Sequence, residues 1–301
     1  NYKAQQDKIK EKSKIIKADR REDNPVLGTL NEASLNNEEF FKILRSQDLG
    51  KITESSIDKP ENLNLSGHNL SHFNYKYFRN FVGADLRYTI FNEISEEGLS
   101  FRGSSLAYAQ FVDCLIPKTN FIRTHLSYAN FYSAALDGSS FIGAMARKAH
   151  FKNARMVATD FKESKIIDSD FSDTHLDQAN FKSSFLTGSN FNNSKLSKAI
   201  FKNAQLQGSS FVNCDLEGTD FTNANLEGVD FTGANLLNTK FTNADVAQAM
   251  FKNAKNLTHK QLEEVKFLLS ARSIPEDIIP KKKSWIERFK APHDPSLKLR
   301  Y

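Results

Sequence analysis

From Phe81 onward a bulky apolar residue returns at every fifth position, a spacing that few backbones can accommodate. Steps of five give Phe81, Leu86, Phe91, then Phe101, Leu106, Phe111, Ile116 and Phe121, and the count runs on to Val246 and Phe251. A helix keeps one face in register every 3.6 residues or so, and a strand every second residue, so neither buries every fifth side chain. A turn must therefore reset the chain once in each step.

Two further positions obey the same count. The residue two before each centre is small, as in Ala84, Thr89, Ser104, Ala109, Cys114 and Thr119, and again in Ala234, Thr239, Ala244 and Ala249. A large and a small side chain together fill a narrow cross-section at crystal-like density, so both should point inward. Two after the centre come Gly83, Gly98, Gly103, Gly138 and Gly143, then Asn153, Asn193 and Asn203, with Asn92 assigned to the same set. Gly and Asn tolerate positive φ, which makes this position a corner. Phe and Leu alternate as centres, so like stacks on like if four sides close a coil of about twenty residues. Phe then lines two opposite walls and aliphatics line the other two.

Ala84-Asp85-Leu86, Ala129-Asn130-Phe131, Ala179-Asn180-Phe181, Ala224-Asn225-Leu226 and Ala234-Asn235-Leu236 spell A-[D/N]-[L/F]. In these residues the chain resembles the pentapeptide-repeat proteins over roughly three-fifths of its length. The resemblance implies an all-β solenoid: a right-handed quadrilateral parallel β-helix of about nine coils, with short helical caps at both ends. At about 4.8 Å per coil the rod would be about 40 Å long.

The expected organisation has five parts: a basic and charged extension over 1–30, an N-terminal cap over 31–64, the repeat helix over 65–256, a capping helix over 257–279 and a basic tail over 280–301. In the extension, Tyr2, Ile9 and Ile16 are spaced by seven, as on a mostly exposed helix. Asn36 precedes Phe40 and Phe41 as a helix cap, with Glu39 reaching back. Leu65, Leu70 and Tyr75 already keep the step, but Phe81 follows after six residues, which predicts a bulge near 78–80. Here His68 and Phe73 take the small inward position, as suits an end coil. At the far end Thr258 and Gln261 predict a capping box, followed by an amphipathic helix through Leu262, Val265, Phe267, Leu268 and Leu269.

Two centres break the pattern. Glu96 stands where an aliphatic belongs, which predicts a loop over 93–98 turning the carboxylate outward, because an unpaired buried charge is too costly. Ala146 leaves a gap in a Leu wall, with Met145 expected to fill part of it beside a kink.

The net charge is +5, but between Phe81 and Asn256 the two signs nearly balance and the surplus belongs to the ends. Within the rod, Arg147 to Lys202 leans basic and Asp215 to Asp245 leans acidic. Cys114 and Cys214 occupy the small position of one wall five coils apart, about 24 Å, beyond disulfide reach, and read as core residues. No run of eighteen apolar residues predicts a membrane-spanning helix. The sequence starts at Asn1 without Met, so a cleaved leader stays open. The sequence does not fix the compartment; the expected ones are a bacterial cytoplasm or, after delivery, a host cell.

Nothing in the repeats predicts an enzyme, a cofactor or a metal. His125, His150 and His175 are twenty-five apart and climb one wall per coil, so they cannot converge. His68 and His72 have a spacing that serves metals on helices, and this stretch is not helical. Function should reside on the outer surface, where residues twenty apart stand in ladders. Tyr88, Tyr108 and Tyr128 share one corner column, followed by Lys148. Lys162, Lys182 and Lys202 share a wall column with Ile122 and Ile142. Trp285 sits among Lys281, Lys282, Lys283, Arg288 and Lys290 in the tail, a composition that suits an anionic membrane surface. The leading expectation is a non-catalytic scaffold that binds a protein partner. The alternatives are a secreted bacterial effector acting on host membranes or proteins, and a DNA-mimicking protector of a topoisomerase, the role some members of the resembled family have. DNA mimicry requires a strongly acidic rod, which a near-neutral one is not. Nucleic acid is not an expected partner, and a homodimer stays open.

Overall fold

Every wall of the body is built from the same hydrogen-bonded rung, repeated once per coil. The computed structural model describes Glu39, Lys42, Ile43 and residues 63–76, 78–263 and 265–274. Parallel bridges join residues twenty apart, such as Asn120 to Ser140, Ser140 to Asp160 and Asp160 to Asn180. On one wall Phe121 N–H donates to Ser140 O at 2.7 Å and Asn120 N–H donates to Leu99 O at 2.8 Å, so each strand pairs above and below. Almost all of these are single bridges. Among the described residues, only Met145–Arg147 and Lys165–Ile167 extend into three-residue strands, paired in parallel.

The sequence pattern explains each corner. The residue two after the centre has positive φ throughout, from Tyr88 at 60° to Asn253 at 56°. The residue after that closes a turn back onto the centre, as Ala134 N–H does onto Phe131 O at 3.0 Å. Asn or Asp before the centre holds the turn from the side: Asn130 Oδ1 accepts from Tyr132 N–H at 3.0 Å. One sequence assignment is corrected here. Asn92 is one residue short of the corner, and Glu93 takes the left-handed conformation at φ 62°. The corner is also obligatory for whatever residue lands on it, including Tyr108, Lys118 and Arg123. Their strain, about 1 kcal/mol or more for each bulky side chain, is offset by the ladder on either side.

Inside, the aromatic rings form two columns. Phe161 lies 4.8 Å from Phe141 and 4.6 Å from Phe181 in near-parallel stacks. It meets Phe151 and Phe171 of the opposite wall edge-on, at 6.3 and 5.8 Å. These are the offset-stacked and edge-to-face arrangements that the ring quadrupole favours. The small position is buried as expected, and many of its hydroxyls donate to backbone, as Ser104 Oγ does to Phe101 O at 2.7 Å, whereas the buried Ser164 Oγ has no hydrogen-bond partner among the described residues. Cys114 and Cys214 are buried in the same column and donate to Phe91 O and Phe191 O at 3.0 and 2.8 Å.

At the first coil the register changes from twenty-one, Asn69 to Ile90, to twenty, Asn80 to Ser100, so an extra residue lies between. Phe78 is buried there, with its ring 4.8 Å from Phe81. Phe73 is buried as the end-coil reading requires, whereas His68 is only half-buried. Glu39, Lys42 and Ile43 are helical, and Ile43 packs against the core. The rest of the 31–64 cap, the extension with Tyr2, Ile9 and Ile16, and the tail with Trp285 lie outside the described residues.

Three local expectations fail. The backbone does not loop out at Glu96, because its N–H still donates to Leu115 O at 2.9 Å. Only the side chain turns away, to an ion pair with Arg79, while Ile94 and Leu99 fill the interior from the usually small positions. Met145 does not fill the gap beside Ala146. It points outward, 39% exposed, on a regular extended strand. The C-terminal amphipathic helix is also much shorter than expected. His259–Leu262 is one helical turn, after which Lys266 and Arg272 return to the walls, bridging Asp245 and Met250. Phe267 adopts φ 56°, which ends any helix through that point and leaves its ring 47% exposed. Half of the capping box forms: Gln261 Oε1 accepts from Thr258 N–H at 2.8 Å, while the Thr258 hydroxyl donates to Gln261 Oε1 at 2.7 Å.

Candidate interaction surface

Because the coil repeat fixes the vertical spacing, side chains twenty apart become neighbours on the surface. Tyr88 and Tyr108 stack at 4.9 Å with their planes 8° apart, and Tyr108 and Tyr128 at 4.8 Å and 2°. All three occupy corners, at φ 60°, 62° and 60°. A bulky residue at positive φ is costly, and stacking of about 0.5–1.5 kcal/mol per pair compensates in part. The outer edges of the rings remain accessible, and Tyr128 is 38% exposed. Lys148 continues the column as an exposed corner residue, while its neighbour Arg147 reaches Asp168 at 3.4 Å.

Lys162, Lys182 and Lys202 do share one wall column, but they are not an uncompensated ladder. Lys162 Nζ lies 3.1 Å from Asp160, and Lys202 Nζ lies 3.2 Å from Asp220. Burial pushes the Asp220 carboxyl up, and hydrogen bonds from Thr222 and Lys202 outweigh it, holding the group below its ordinary value. Of the three lysines, Lys182 is the one whose charge no such contact engages. Trp285 falls outside the described residues, so the structure places it with neither column.

Sequence reasoning overlooked two exposed apolar residues near the tyrosines. Met145 and Phe185, 39% and 43% exposed, stand in the column before the Tyr corner with Lys165 between them. Lys165 Nζ lies 5.7 Å from the Phe185 ring centre, within cation–π range. The available signal was an apolar residue at the motif position that otherwise holds Asn or Asp. A cleft of about 520 Å³ at the last coil, bordered by Leu237, Lys240, Phe241 and Lys260, was equally unforeseen. Its origin is the switch from strand to helix at His259.

His125, His150 and His175 are exposed on separate walls, and among the described residues no cluster of His, Cys, Asp or Glu could hold a metal ion. Burial pushes the Cys214 thiol up to about 12, and it raises Cys114 further still. Both are far from the thiolate that nucleophilic chemistry requires. No helix among the described residues is long and apolar enough to cross a membrane.

Against this geometry, the family models for the pentapeptide repeat region match residues 124–201 and 184–267, and that for pentapeptide repeats in eight copies matches 104–143. Together they cover more than half of the chain, which belongs to the pentapeptide-repeat family. Solved structures similar to it include HetL from the cyanobacterium Nostoc sp. strain PCC 7120, a pentapeptide repeat protein involved in heterocyst differentiation regulation. The identity is 18%, with 77% of this chain and 96% of that one covered and a TM-score of 0.44. Another is QnrB1, a plasmid-mediated fluoroquinolone resistance protein, at 16% identity, 75% and 95% coverage and a TM-score of 0.40. A third is Rfr23 from the cyanobacterium Cyanothece 51142, at 17% identity, 60% and 89% coverage and a TM-score of 0.20. No curated protein matches the sequence.

Proposed function

We infer that the chain is a non-catalytic scaffold: a right-handed rod of about nine coils, closed at each end by short helical segments, that displays side-chain ladders to a protein partner. The division into extension, cap, rod, C-terminal cap and tail belongs to the same reading. The observation that supports it most is the stack of Tyr88, Tyr108 and Tyr128, three aromatic rings in register at a conformation where Gly or Asn would be less strained. Aromatic rings held rigid before contact lose little entropy on binding, which is how interface anchors work. Lys148 extends that strip, and Lys162, Lys182 and Lys202 form a second one, with Lys182 free to meet an acid.

Imitation of DNA has less support, because the Arg147 to Lys202 section is basic where a duplex mimic must be acidic. The test is affinity capture with the full chain, compared with Tyr88→Ala, Tyr108→Ala and Tyr128→Ala combined. Scaffolding through this strip predicts at least one partner bound by the parent chain and lost from the triple variant. Identical captured sets from both would reject the Tyr strip as the binding site.

A further inference from the structure

We propose that the cleft at the last coil binds an extended acidic peptide segment of a partner protein by strand addition. In every regular coil the centre residue and the corner residue two after it donate to the coil above: Phe221 N–H to Lys240 O at 2.8 Å and Asn223 N–H to Thr242 O at 2.9 Å. One rung further on, the strand that should receive Phe241 and Asn243 is replaced by the helical turn His259–Leu262. Among the described residues no acceptor engages the Phe241 or Asn243 N–H.

The opposite half of the rung is already satisfied. Gln261 Nε2 donates to Leu236 O at 2.7 Å and to Thr239 O at 3.0 Å, standing in for an incoming strand's amide on Thr239. The core beneath is closed as well, because Phe241 and Leu262 are buried. What remains on this rung is the Phe241 and Asn243 pair of donors, two residues apart, with the Asn238 N–H beside them also without an acceptor among the described residues; two donors at this spacing suit two carbonyls of an extended chain.

The surroundings select the chemistry of the occupant. Asn238, Lys240, Phe241, Thr242 and Lys260 border the cleft, whose volume of about 520 Å³ accommodates a short stretch of peptide. One rung below, the residue paired with Lys240 is Asp220, so an acid facing Lys240 from above repeats a pairing the wall already uses. Glu263 on the rim faces His259 at 3.2 Å. Leu237, 40% exposed, offers an apolar contact beside the acid.

The experiment pans a phage-displayed random octapeptide library against the full chain, then maps the best synthetic octapeptide by amide hydrogen exchange. Enrichment of acidic, strand-forming sequences is expected, with exchange at Phe241 and Asn243 slowed by about tenfold or more on binding. Lys240→Glu with Lys260→Glu, checked for an unchanged circular dichroism spectrum, should abolish binding of that peptide. The Tyr88, Tyr108 and Tyr128 triple variant should retain it, which separates this proposal from the Tyr strip. Absence of enrichment, protection confined to other amides, or equal binding by the charge-reversed chain would each overturn it.

Discussion

Truncation of a single ring in the middle of the rod should be far more damaging than truncation of any surface ring. Phe161 is fully buried and touches four other phenylalanines, two stacked at 4.8 and 4.6 Å and two edge-on at 6.3 and 5.8 Å. Phe161→Ala removes all four contacts. The hole cannot close, because the backbones above and below are held at ladder distance by bonds such as Phe161 N–H to Asn180 O at 2.7 Å. A phenylalanine truncated in a core that cannot relax costs about 3–5 kcal/mol, and this site belongs near the upper end. Tyr108→Ala, which removes a half-exposed ring, should cost about 1 kcal/mol. Urea unfolding followed by far-UV circular dichroism measures both. Midpoints for Phe161→Ala and Tyr108→Ala that fall together, within about 1 kcal/mol of the parent, would refute the packed aromatic column.

The corners offer a cleaner test of backbone strain, because a Cβ added at Gly103, φ 67°, would meet nothing within 4 Å. Gly103→Asn should therefore change stability by less than about 0.5 kcal/mol and Gly103→Val should lower it by about 2 kcal/mol, the difference being conformational alone. Equal urea midpoints for the two would remove the left-handed corner from the account. Burial raises the Cys214 thiol from 9.0 to about 12, so the proton is kept in the fold and lost from the unfolded chain between those values. Stability from this group is complete below pH 9 and declines above it, by about 2 kcal/mol at pH 10.5. Cys214→Ser retains a donor for Phe191 O and should lose that much less on going from pH 8 to pH 10.5. Parallel pH profiles for the two chains would contradict the buried thiol.

The repeat was legible because its rule is positional. Phe151, Ala154 and Asn153 each announce their place by size or by tolerance of positive φ, and the backbone ladder does the rest. What the sequence hid were places where one rule was broken and another compensated. Glu96 looked like a loop because a carboxylate cannot be buried alone, but Ile94 and Leu99 enlarge the small positions around it and Arg79 pairs with it outside. Val265 and Leu268 have helical spacing, yet both are buried within a coil that bridges Asp245 through Lys266. Helical periodicity there lost to the unpaired edge of the wall. The lysine column misled for another reason. Its partners Asp160 and Asp220 come from a different column, so a reading down one ladder cannot see them.

Residues twenty apart lie side by side, and short-span cross-linking tests that directly. Lys165 and Phe185 are exposed and bridge neighbouring coils, whereas the two native cysteines are buried. With Lys165→Cys and Phe185→Cys together, a cross-linker spanning about 5 Å should join the pair in the native chain. With His150→Cys and Lys165→Cys, fifteen residues apart, both exposed and on different walls, it should not. Mass spectrometry that finds the second link and not the first would contradict the four-sided coil.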